Sequence, residues 1–128
     1  MTNYTVEIKE TSKELSNKEK IKYKDTSSAI KLDDATQELG ANEKLIIAVD
    51  GYVLLSIHND KSDNPDYDNI IIIAKDGQTY ITGSNAFMNS FFNIYEEMKD
   101  EPFEIDVYRK PSKNFANKDF LTCTIVLD

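Results

Sequence analysis

The stretch LIIAVDGYVLLSIH, residues 45–58, decides how the rest of the chain is read. It is aliphatic and β-branched, and it is interrupted once, at Asp50-Gly51. Two readings fit. Asp-Gly between hydrophobic runs is a strong hairpin signal, because the favoured two-residue turn needs positive φ at both positions. The same run is also a single long strand bent at Gly51, where a missing side chain permits a bulge or a sharp coil.

Toward the C-terminus the pattern is clearer. NDKSDNPDYD (59–68) is an acidic loop broken by Pro65, NIIIIA (69–74) is a buried strand, Lys75-Asp76-Gly77 a tight turn and QTYIT (78–82) the return strand. Tyr80 on that strand has polar neighbours in phase, Gln78 and Thr82, which predicts a solvent-facing side. Gly83 and Ser84 open a helix running to about Lys99, with Ser84 as N-cap and Phe87, Met88, Phe91, Tyr95 and Met98 on one face. Pro102 prevents its continuation. FEIDVYR (103–109) alternates with Phe103, Ile105 and Val107 on one side. FLTCTIVL (120–127) does the same with Leu121, Cys123, Ile125 and Leu127. Tyr108 and Phe120 fall on the opposite, outer face, and RKPSKNFANKDF (109–120) spans the hairpin loop between the two strands.

Toward the N-terminus, YTVEI (4–8) and KIKYK (20–24) alternate as short strands, and TSKELSNKEK (11–20) between them is polar and reads as a loop or a mobile segment. LDDATQELG (32–40) predicts a short helix capped by Asp33 or Asp34 and ended by Gly40. Residues 1–43 therefore read as an N-terminal extension of short strands and a short helix, ahead of a domain at 44–128.

The formal charge of −8 is unevenly distributed over the 128 residues. Residues 1–31 hold seven lysines against five acids, residues 32–108 four lysines against sixteen acids, and residues 109–128 four cations against two acids. An acidic middle thus lies between two mildly basic ends, which disfavours generic adhesion to nucleic acid or anionic lipid but leaves room for a local basic groove. One cysteine, Cys123, excludes an internal disulfide and fits a reducing cytoplasm. The polar start MTNYTVEIKE predicts no secretory leader, and no apolar run approaches the ~18 residues of a membrane span. A cytoplasmic protein with no membrane partner is expected.

Catalysis finds little to work with. His58, Cys123 and Arg109 are each the only residue of their kind, so a nucleophile–base pair or a histidine-rich metal site is hard to assemble. His58 has no obvious partner, and Cys123 lies on an apolar face as an inert core thiol. The Asp60/Asp63/Asp66/Asp68 cluster lacks the spacing of a calcium loop. The expectation is a protein that is not an enzyme and uses no cofactor and no metal.

With 45–58 counted as one bent strand, the chain from residue 44 runs strand, strand, strand, helix, strand, strand. That is the order of an OB-fold, a mainly β, five-stranded Greek-key barrel with a helix between its third and fourth strands. The loop 110–118 would then join strands four and five, a common nucleic-acid contact in that fold. From NIIIIAKDGQTYITGS through VYRKPSKNFANKDFLTCTIVL, within residues 45–127, the chain resembles small single-stranded DNA-binding proteins of phages and mobile elements, in element order and in the basic final loop. The resemblance implies an OB-fold and single-stranded DNA as partner, in an accessory role in replication or recombination. Arg109, Lys110, Lys113 and Lys118 would hold phosphates, while Tyr80, Tyr108, Phe115 and Phe120 would stack on bases. Against that group, the chain clusters four aspartates in the first inter-strand loop. A second reading follows from them: an acidic protein-binding module, such as a phage-encoded inhibitor or DNA mimic, acting on a basic host protein. A homo-oligomer is compatible with either.

Overall fold

Residues Leu45–Asn59 form one uninterrupted strand, so Asp50-Gly51 does not turn the chain. The computed structural model describes residues 4–39, 44–61, 63, 65–99, 101–111 and 119–127. In order the elements are β1 (Tyr4–Thr11), α1 (Asn17–Lys24), a 3-10 turn (Thr26–Ser28), β2 (Ile30–Lys31), α2 (Leu32–Gln37), β3 (Leu45–Asn59), β4 (Asp66–Ala74), β5 (Thr79–Thr82), α3 (Asn85–Met98), β6 (Glu104–Pro111) and β7 (Asp119–Ile125). Strand outweighs helix, and the fold is mainly β. No described helix is long and apolar enough to cross a membrane.

The chain forms two compact units, Met1–Ile30 with Asp50–Gly83, and Lys31–Val49 with Ser84–Asp128. In the first unit β3 lies between β1 and β4, and β4 pairs antiparallel with β5. The β4–β5 turn is the one expected: Gly77 has φ of +91°, and the Asp76 carboxylate accepts from the Gln78 N–H at 2.9 Å. Val53, Leu55 and Ile57 of β3 pack with Ile71, Ile73 and Ile81, and Leu15 and Tyr23 join that core from the connection after β1.

That connection holds a correction. KIKYK is helical, as the last part of α1, rather than a strand. Ser16 Oγ accepts from the Glu19 N–H at 3.2 Å while Glu19 Oε1 accepts from the Ser16 N–H at 3.0 Å, a reciprocal cap that satisfies two of the free donors at a helix start. Alternation over five residues does not distinguish strand from helix when only Tyr23 of the segment is buried.

In the second unit, residues 45–48 of β3 pair with β6, and β6 pairs with β7. Ile47, Val49, Phe103, Ile105, Val107, Leu121 and Cys123 are buried as expected, together with Leu32. Leu127 lies past the end of β7 and is 85% exposed, so the predicted inward face stops short of it. The phenyl ring of Phe91 is the centre of the aromatic core, 6.2 Å from Phe87, 6.1 Å from Tyr95 and 6.4 Å from Phe103. Ser84 caps α3 by accepting from the Phe87 N–H at 3.2 Å, and its hydroxyl donates to the Leu121 carbonyl at 2.9 Å. The cap therefore also fastens α3 to β7. Helix α2 ends at Gln37, with Lys31 at its N-cap and no side-chain cap bond; Asp33 and Asp34 sit in its first turn instead, where the helix dipole favours them. Gly40 lies outside the described residues.

Gly51 is required for close approach. A Cβ there would lie 2.6 Å from Ser12 Oγ, the acceptor for the Tyr52 N–H at 2.9 Å. In Gly51→Ala the serine must swing away and leave that buried donor unsatisfied, at a cost of about 1–3 kcal/mol. Urea unfolding of Gly51→Ala should show a lower midpoint at unchanged slope. An unchanged midpoint would remove this explanation of the glycine.

Candidate nucleic-acid interface

The β6–β7 register sorts the expected binding residues by face. Lys110 stands opposite Phe120, and Tyr108 opposite Thr122, so Tyr108, Lys110 and Phe120 share one face. Tyr108 is 36% exposed, Lys110 is exposed and Phe120 is half-buried. Thr122 on the same face is buried and shares a 3.0 Å hydroxyl–hydroxyl hydrogen bond with Ser90 of α3, so the exposed part of the face lies toward the C-terminal end of β6 and the start of β7. Farther from that end, Asp106 and Glu104 follow Tyr108 in phase, so the face runs from basic and aromatic to acidic. Lys113, Phe115 and Lys118 lie outside the described residues.

Arg109 does not join this face. It stands opposite Leu121, in phase with Ile105 and Val107, and its guanidinium turns to α2, with Nη1 3.7 Å from Asp33 Oδ1. Strand alternation separates it from Lys110 although the two are adjacent in sequence. Tyr80 belongs to the other unit. Its face is not the solvent-facing one expected: Thr82 is 3% exposed, and Ile70 and Ile72, its neighbours across the β4–β5 pair, are fully buried. Two-sided burial of β4 overrides the polar phase of QTYIT. Tyr80 itself is half-buried, and desolvation, with Asp76 adding to it, raises its phenol above the ordinary value.

Sequence reasoning missed His58. Its Nδ1 lies 2.7 Å from Asp66 Oδ1 and its Nε2 lies 2.6 Å from Asp60 Oδ1. The ring bridges the two ends of the acidic loop. Asp60, two residues on, was a legible signal; Asp66 comes within reach only through the pairing of β3 and β4. Lys9 of β1 adds an ion pair to Asp68 at 2.9 Å. Three of the four clustered aspartates thus face a cation or a titratable ring. The two ring nitrogens point in opposite directions, so the two carboxylates cannot join the ring around one metal ion. Among the described residues no His/Cys/Asp/Glu group is arranged to hold one. Burial pushes the Cys123 thiol up to about 12, which keeps it protonated and unreactive as a nucleophile.

Compared with known proteins, the chain matches no family model, no curated protein and no solved structure.

The hydrogen bonds to Asp66 and then Asp60 raise the His58 pKa above 6.5. The folded state holds the proton more tightly than the unfolded chain. The stability from this bridge is therefore complete below pH 6.5 and is lost as pH rises through the raised value. An NMR titration of the imidazole should place its midpoint above 6.5, and Asp66→Asn should bring it down. A midpoint in wild type no higher than in an unfolded peptide would dismiss the bridge.

Proposed function

We propose that this protein is a non-enzymatic, single-stranded DNA-binding protein built on an OB-type barrel, an accessory of phage or mobile-element replication or recombination. The observation that carries the reading is the face shared by Tyr108, Lys110 and Phe120 beside residues 112–118, whose sequence adds Lys113, Phe115 and Lys118. Single-strand binding needs cations for phosphates and accessible rings for bases, and this face supplies both side by side. The barrel reading is supported by the order of β3, β4, β5, α3, β6 and β7 along the chain. It is also supported by β3, which pairs with β6 along its first part and lies beside β4, as the long first strand of that fold does.

The acidic-module reading rests on the sixteen acids between residues 32 and 108. Its strongest patch, the 60–68 loop, is internally compensated by His58 and Lys9, which favours the DNA reading.

Fluorescence anisotropy with labelled single- and double-stranded oligonucleotides tests the proposal. Wild type should bind the single strand, more weakly as salt rises. Phe120→Ala should lose roughly 1–3 kcal/mol of affinity through lost stacking. A wild type that binds no oligonucleotide at low salt, but recovers a basic protein from host lysate, would establish the acidic module in its place.

A further inference from the structure

The lysines of the first thirty-one residues are not equivalent. Lys9 pairs with Asp68 at 2.9 Å and Lys13 with Asp50 at 2.7 Å. Four others, Lys18, Lys20, Lys22 and Lys24, are all exposed on the eight-residue helix α1. The one acid of that helix, Glu19, turns back to the Ser16 N–H as part of the cap. Among the described residues no salt bridge joins these four lysines to a carboxylate.

Helical geometry arranges them further. At 100° per residue, Lys18 and Lys22 lie on one flank of Ile21 and Lys20 and Lys24 on the other, while Tyr23 points nearly the opposite way into the core. Ile21 is 72% exposed. Both lysine pairs are at i, i+4, a like-charge spacing that destabilises a helix. An eight-residue helix is too short to stand on its own propensity, so it is held by the cap and by Tyr23, with Lys22 Nζ 5.7 Å from the centroid of the Tyr23 ring. A chain of net charge −8 thus places four exposed lysines, none in a salt bridge among the described residues, within one eight-residue helix.

We propose that the solvent face of α1 is a second contact for nucleic acid, in which Lys18, Lys20, Lys22 and Lys24 hold the phosphate backbone of a single strand. The inference rests on the single-stranded DNA reading above and adds to it a site in the other unit. Two i, i+4 pairs offer four cations within two turns, suited to a flexible chain of regularly spaced monoanions. An anionic membrane is disfavoured because Ile21 is the only exposed apolar side chain of the helix, and interfacial helices need a continuous apolar face to insert.

The test is a salt series of anisotropy measurements with a labelled oligo-thymidine strand. The quadruple variant Lys18→Gln/Lys20→Gln/Lys22→Gln/Lys24→Gln is compared with wild type and with Lys110→Gln. Glutamine keeps helix propensity and removes the like-charge pairs, so circular dichroism should show an unchanged fold. Each phosphate contact on a single strand contributes about 0.7 to the slope of log K against log salt, so the quadruple variant should lose roughly 3 of that slope and Lys110→Gln about 0.7. Wild-type binding with a slope unchanged in the quadruple variant would overturn the α1 site and leave the DNA reading standing. No wild-type binding would overturn both. Lysine-dependent binding to phosphatidylserine vesicles, without a change in the DNA slope, would reassign the face to a membrane.

Discussion

The structure depends on a backbone contact between residues forty positions apart. Where β1 ends at Thr11, Ser12 takes over its pairing with β3: its N–H donates to the Tyr52 carbonyl at 3.1 Å, and its hydroxyl accepts from the Tyr52 N–H at 2.9 Å. Lys13 then reaches Asp50 at 2.7 Å, and Glu10 accepts from the Tyr52 hydroxyl at 2.8 Å. Asp50-Gly51 is thus held extended from outside by residues 10–13. The hydroxyl fits only because residue 51 has no Cβ. With the strand unbroken, β3 gives residues 45–49 to one unit and 50–59 to the other.

The same segment organises the charge. Placing β1 beside β3 brings Lys9 to Asp68, and placing the following residues at Gly51 brings Lys13 to Asp50. Exposed pairs of this kind contribute little to stability individually. Their larger effect is on the surface field, because they quiet part of an acidic region and leave α1 as a concentrated positive face. A sum over the chain gives −8 and hides this separation. For a protein proposed to bind a polyanion, the local arrangement governs which face a strand approaches, and the net charge governs which faces it avoids.

The legible elements were those specified by neighbours along the chain. The 69–82 hairpin follows from a turn glycine at φ +91° between apolar runs, and α3 follows from Ser84 and the Phe87/Met88/Phe91 stripe. The inward faces of β6 and β7 follow from two-residue alternation through Val107 and Cys123. Helix α1 was legible too, through Ser16 and Glu19, but the alternation of Ile21 and Tyr23 points to the wrong period when the segment has a single buried residue.

Of the candidate site, the sequence by itself determined that Tyr108 and Phe120 lie opposite the Val107 and Cys123 faces of their strands, since strand periodicity fixes a face before any partner is known. Lys110, read as a loop residue, joins them only through the β6–β7 register. It also determined that Cys123 belongs to the core. Only the tertiary structure decided that Asp50-Gly51 is extended, that Arg109 turns to Asp33, that Thr82 is buried beside Tyr80, and that His58 spans Asp60 and Asp66. Each of these is set by a group brought from a distant part of the chain, and local propensity carries no information about which distant group arrives.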